Sequence, residues 1–205
     1  MSKQINDFIR QTYQYFYIDG LPELASGSMY LVTGILLAVM TRVESGTLAA
    51  GLVGLALIPI ILGGIYLQNR LLRHLKERIT YLRSGYVSYR RERKDSRRWI
   101  VIVVALLLPF VLTLLPEQWQ DLPLVIGGIL GSVHIYMGYR LSIKRFYIEG
   151  AFAVFLGIVA AIFLNNEVLG AAIIFLGAGI VLMAAGGLTL RHYLQTHPLP
   201  DEVTG

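Results

Sequence analysis

The stretch Val168–Leu190, VLGAAIIFLGAGIVLMAAGGLTL, runs for 23 residues without an Asp, Glu, Lys, Arg or His. As a helix it covers about 34 Å, against roughly 30 Å for the hydrocarbon core of a bilayer. Inside lipid the backbone must satisfy its own hydrogen bonds, so a single apolar stretch of this length crosses as a helix. Five further apolar stretches carry no Asp, Glu, Lys or Arg in their central portions: Ala25–Val43, Leu48–Leu67, Trp99–Leu115, Leu122–Leu141 and Tyr147–Leu164. Arg42, Arg140 and Glu149 fall at their ends, where long side chains snorkel towards water. The composition agrees with lipid as the solvent, because the chain is 55% hydrophobic and only 15% charged with a mean hydropathy of +0.60. The expected fold is an all-α, polytopic membrane protein of six transmembrane helices.

Short links join the first and second spans, the third and fourth, and the fifth and sixth. The expected organisation is an interfacial segment over 1–24, hairpins over 25–67, 99–141 and 147–190, a basic loop over 68–98 and a tail over 191–205. Of the 18 Lys and Arg residues, only Arg42 falls in one of the short links. The positive-inside rule therefore puts the other side, with both chain ends, in the cytoplasm. All 12 tyrosines lie on that half as well, from Tyr13 to Tyr193. An ordinary aromatic belt occupies both interfaces, so the asymmetry points to the inner face as the place of action. The expected location is a plasma membrane, crossed several times.

Shifting the first hairpin by 123 residues lays it on the third without a gap. Gly34, Glu44, Gly54, Gly63 and Gly64 meet Gly157, Glu167, Gly177, Gly186 and Gly187, with four apolar identities besides. The two copies run in the same direction, which is the pattern of an internal, parallel repeat. Glycines have a packing use in lipid, where small residues let helix backbones approach. Gly127 and Gly131 form a Gly-x-x-x-Gly for which a seam within the chain is expected, a homo-oligomer seam being the alternative.

Two cytoplasmic elements stand out. Ile5, Phe8, Ile9, Phe16 and Tyr17 recur at helical spacing among polar residues, as in a helix lying in the interface or on the protein's own inner surface. Asp19-Gly20 then reads as a turn. The Gln68–Arg98 segment carries 11 cations and three anions. Leu71, Leu72, Leu75, Ile79 and Leu82 share a helical face that continues span two, Ser84-Gly85 ends it, and Tyr86-Val87-Ser88-Tyr89 alternates like a short extended segment. Arg70, Arg73, Lys76, Arg78, Arg83, Arg90 and Arg91 are the candidate contacts to anionic headgroups or to an acidic cytosolic protein, at about 1 kcal/mol per cation near the surface. Nucleic acid is not expected, because no recognition fold accompanies the charge.

Of the Asp, Glu, Lys, Arg and His residues, His134 alone falls well inside a span, and it shares a helical stripe with Gly127, Gly131 and Gly138. With Tyr136 and Tyr139 it forms a candidate intramembrane polar site, the plain alternative being a histidine bonded to a neighbouring carbonyl or tyrosine. No cysteine is present, and no histidine or carboxylate lies at ligand spacing from His134, so no metal or cofactor is expected. No nucleophile elbow, P-loop or zinc-hydrolase motif appears, and no catalytic residue is assigned. Pro59 and Pro109 fall inside spans two and three, where each can kink its helix.

The segments Tyr15-Phe16-Tyr17-Ile18-Asp19-Gly20-Leu21-Pro22 and Arg78-Ile79-Thr80-Tyr81-Leu82-Arg83-Ser84-Gly85-Tyr86-Val87 together resemble an uncharacterised bacterial six-helix integral membrane protein family. Asp-Gly-Leu precedes the first span of that family, and Arg-x-Thr-Tyr-Pro-Arg-x-Gly-Tyr-Val follows the second. Asp19, Gly20, Tyr81, Arg83, Gly85 and Tyr86 match, while Leu82 stands where the family has proline. The resemblance implies a bacterial inner membrane and brings no activity. The hairpins with glycines near their ends are also similar to HdeD-like membrane proteins, which lack so long a basic loop. The leading expectation is a non-enzymatic protein whose basic inner face binds anionic lipid or a protein partner. The alternatives are a small-solute channel or transporter passing near His134 and, third, a membrane-lipid enzyme.

Overall fold

A computed structural model describes residues 14–43, 48–84 and 121–198. Among these the regular elements are all helical: α1 (Leu21–Met40), α2 (Leu48–Ile79), α3 (Tyr81–Ser84), α4 (Leu122–Leu141), α5 (Lys144–Phe163) and α6 (Glu167–Thr196). Four of them, α1, α4, α5 and α6, are long and apolar enough to cross a membrane. The stretch expected at 48–67 lies within α2. The one expected at 99–115 lies outside the described residues, as do Arg90, Arg91, Gly85, Tyr86 and the N-terminal positions Ile5, Phe8 and Ile9.

The helix ends follow from local chemistry. Gly20 caps α1 in the left-handed region at φ 70°, and Pro22 occupies the first turn, where a missing N–H costs nothing. Asn166 caps α6 by accepting from the Leu169 amide at 3.0 Å. Between α4 and α5 the chain reverses over Ser142, at φ 53°, and Ile143, whose amide returns to the Gly138 carbonyl at 3.2 Å. At 32 and 30 residues, α2 and α6 measure about 48 and 45 Å and outrun the hydrocarbon.

The most extensive helix contact joins elements far apart in sequence, and the next joins two neighbours. α1 lies antiparallel along α6, and α4 along α5, while α5–α6 and α1–α2 share shorter interfaces. The α1–α6 seam repeats every seven residues, with Gly20, Gly27 and Gly34 facing Gly186, Gly179 and Ala172. A Cβ on Gly27 would stand 2.9 Å from the Gly179 oxygen, and one on Gly179 3.0 Å from the Gly27 oxygen. A second seam sets Gly127 against Gly157 and Gly131 against Gly150. The Gly-x-x-x-Gly of α4 is thus used within the chain. Large apolar side chains such as Ile162, Phe163 and Leu188 remain exposed on the outside of the bundle, where lipid covers them.

Candidate functional site

The seven-residue seam brings the start of α1 beside the end of α6. The end of α2, the α4–α5 turn and the start of α5 gather at the same pole. Buried polar side chains concentrate there: Asp19, Glu23, Lys76, Thr80, His134 and Glu149.

Asp19 is fully buried and accepts three hydrogen bonds. Lys76 Nζ and Thr80 Oγ1 each donate to Oδ2 at 2.6 Å, and the Leu21 amide donates to Oδ1 at 3.0 Å. Lys76 also donates to the Phe16 carbonyl at 2.8 Å and lies 4.5 Å from the centre of the Phe16 ring. Burial pushes the Lys76 ammonium below the ordinary lysine value, and Asp19 beside it pulls the other way. The turn expected at Asp19-Gly20 is therefore a ligated corner. Gly20 is fixed there by its positive φ and by Gly186, whose carbonyl a Cβ would strike.

A chain of hydroxyls continues from Thr80. Ser84 Oγ lies 2.5 Å from Tyr15 Oη and 2.8 Å from Tyr193 Oη, and donates to the Thr80 carbonyl at 3.0 Å. Tyr193 stacks on His197 at 4.5 Å, and Arg83 Nη1 donates to the His197 carbonyl at 3.0 Å. On the other flank Arg145 spans α5 and α1. Its Nε donates to Glu23 Oε1 at 2.8 Å and its Nη2 to the Tyr17 carbonyl at 2.5 Å. Tyr17 packs edge-on against Phe146 at 5.3 Å. The Phe16–Tyr17 end of the expected interfacial segment thus rests on the protein's own surface at this pole.

Glu149 is the side chain that sequence reasoning misplaced. It was expected to snorkel from a helix end, yet it is 5% exposed and neither carboxylate oxygen has a hydrogen-bond partner. Glu23 Oε2 is also buried without one. Glu149 lies within electrostatic range of Glu23, Arg145 and Tyr30. Glu149 shares the buried stripe of its helix with Gly150, Ala153 and Gly157.

The expected His134–Tyr136–Tyr139 site does not assemble. His134 is buried, and its Nδ1 lies 2.8 Å from the Leu130 carbonyl, but Tyr136 and Tyr139 are 57% and 77% exposed. At i+2 and i+5 they point away from the buried stripe. The rings near His134 are instead Tyr30, at 6.1 Å, and Phe146, at 6.4 Å. Among the expected headgroup contacts, Lys76 needs correction, because it is 2% exposed and committed to Asp19. Arg83 is partly covered, while Arg70, Arg73 and Arg78 face outwards. Below them Leu21, Leu24, Ala25 and Ser28 of α1 and Gln68, Leu71, Leu72 and Leu75 of α2 line an open, mainly apolar groove of about 200 Å³. No metal-binding group of three His, Asp or Glu side chains occurs among the described residues.

No family model, curated protein or solved structure matches this chain.

Proposed function

We propose that this chain is a six-span bacterial plasma-membrane protein, with both ends in the cytoplasm, whose inner pole holds anionic lipid. The observation that carries the reading is the continuity of α2. One helix leaves the bilayer bearing outward-facing Arg70, Arg73 and Arg78, above an apolar groove at the inner end of α1. Guanidinium groups suit phosphate oxygens, and the groove has the apolar lining that an acyl chain requires. The hub from Asp19 to Tyr193 fixes α2 against α1 and α6, so the cations are presented by a rigid element. The polarity rests on the excess of Lys and Arg at this pole. Six spans are supported by Ser84 and Asp121 lying at opposite poles, with the apolar stretch Trp99–Leu115 between them in the sequence.

The test uses the full chain in nanodiscs. Phosphatidylglycerol is expected to raise its thermal stability over phosphatidylcholine alone, and added salt to weaken the gain. The triple variant Arg70→Gln, Arg73→Gln, Arg78→Gln is expected to lose about 3 kcal/mol of lipid interaction, roughly 100-fold in affinity. Equal, salt-independent preference in variant and parent would end the lipid reading and leave an acidic cytosolic protein as the partner. A channel or transporter remains the second reading, because a buried carboxylate, Glu149, stands in the same region as His134 and Tyr30.

A further inference from the structure

Isolated charge in a low-dielectric interior is unstable, so buried ionised groups are compensated locally. At the α1–α5 junction the compensation is incomplete. Glu23 is 1% and Glu149 5% exposed, and Arg145 is the cation described within electrostatic range of both. Arg145 is already engaged, with Nε and Nη2 on Glu23 Oε1 and Nη2 also on the Tyr17 carbonyl. Three carboxylate oxygens, Glu23 Oε2 and both of Glu149, are left buried with no donor. Two carboxylates against one guanidinium leave one negative charge over.

The groups facing this junction do not remove it. α1 contributes Glu23 and Tyr30, and α4 contributes His134, whose Nδ1 is turned to its own helix at the Leu130 carbonyl. Lys76 of α2 lies within electrostatic range of Glu23, but its charge is matched by Asp19, with which it is paired at 2.6 Å. α6 carries no Asp, Glu, Lys, Arg or His between Val168 and Leu190. Its Thr189 hydroxyl is spent on the Ala185 carbonyl at 2.8 Å.

We propose that Glu149, with Glu23 Oε2, is a binding site for one monovalent cation, either a hydrogen ion or an alkali metal ion. Carboxylate oxygens are hard donors suited to both. The inference stands apart from the lipid reading, which uses the outward face of α2. Occupancy has a structural consequence. When the charge leaves, Arg145 is the nearest cation to answer Glu149, and any turn towards it weakens the hydrogen bond to the Tyr17 carbonyl that ties residues 14–19 to α5.

The experiment labels the full chain in native-lipid nanodiscs with dicyclohexylcarbodiimide, which adds to protonated carboxyl groups in apolar surroundings, and locates the adduct by mass spectrometry. For a hydrogen-ion site, labelling of Glu149 should fall by about tenfold per pH unit once the group ionises, with sodium, potassium and choline chloride equivalent. For an alkali-ion site, sodium or potassium should protect Glu149 where choline does not. Glu149→Gln should remove the labelled peptide. It should also abolish the dependence of amide exchange at residues 14–19 on whichever ion, hydrogen or alkali, governed labelling of the parent. If Glu149→Gln does not fold, labelling of the parent still decides. A Glu149 that never reacts, or reacts at a rate indifferent to pH and to alkali ions, overturns the proposal.

Discussion

Lys76 illustrates how the described cations of a basic segment divide between those that face outwards and those drawn into the protein. Its ammonium lies 2.6 Å from Asp19 Oδ2, with both side chains removed from solvent. Breaking a buried pair from one side leaves an uncompensated charge and costs about 3–5 kcal/mol. Lys76→Met should therefore destabilise the protein by that amount in a detergent unfolding titration, and adding Asp19→Asn should restore a large part of it. If the single variant is neutral, the pair is not buried. The pH dependence has a defined sign. Because Lys76 titrates below the ordinary lysine value of 10.5 in the fold, the unfolded chain holds more protons across the interval between the two. Stability should accordingly rise with pH there, and Lys76→Met should flatten that slope. The family resemblance drew Asp19, Thr80 and Arg83 into two motifs, but it did not imply that the motifs meet. Asp19 and Lys76 are 57 residues apart, and local pattern carries no information on so distant a partner. Glu149 was misread for a related reason. Its position near a helix end was visible, whereas its burial depends on which helices close over it.

Hydropathy reads the length of an apolar helix well, and α4 coincides with the expected Leu122–Leu141. It says little about pairing, because lipid offers no hydrophobic drive to choose between neighbours. The choice is made by glycines. Gly20, Gly27 and Gly34 are spaced by seven, as are Ala172, Gly179 and Gly186, and seven is the repeat that keeps one stripe facing a partner helix. That register is present in the sequence, but the 123-residue shift relates Gly34 to Gly157 and Gly63 to Gly186 and so does not reveal it. The seam predicts a graded mutational response. Gly27→Val or Gly179→Val forces backbone apart where the Cβ clearance is 2.9 Å, and overpacking of this kind costs about 1–3 kcal/mol. Gly63, Gly128 and Gly187 have open space where a Cβ would go. Alanine there should be neutral or stabilise by up to about 1 kcal/mol through helix propensity. Thermal unfolding of the five variants checks the order. A Gly187→Ala protein weaker than Gly27→Val would contradict the seam.

At the scale of the whole molecule, the two poles are chemically unlike. One carries Lys76, Lys144, Arg145, Arg191 and the hydroxyl chain through Ser84. The other carries the turn around Asn165 and Asn166 and the start of α4 at Asp121. Membrane insertion responds to Lys and Arg near helix ends, so the first pole should face the cytoplasm. The chain contains no cysteine, which makes single-cysteine mapping free of background. Glu77→Cys, Lys144→Cys and Thr196→Cys replace exposed residues at the basic pole, and Asp121→Cys and Asn165→Cys replace exposed residues at the other. A membrane-impermeant maleimide should label Asp121→Cys and Asn165→Cys in intact cells, and the other three only after permeabilisation. The reverse pattern would invert the orientation and move the lipid site to the outer leaflet while leaving the helix packing intact. A pattern split within either set would break the packing itself, because the α1–α6 seam and the Lys76–Asp19 pair oblige the first three positions to share one side.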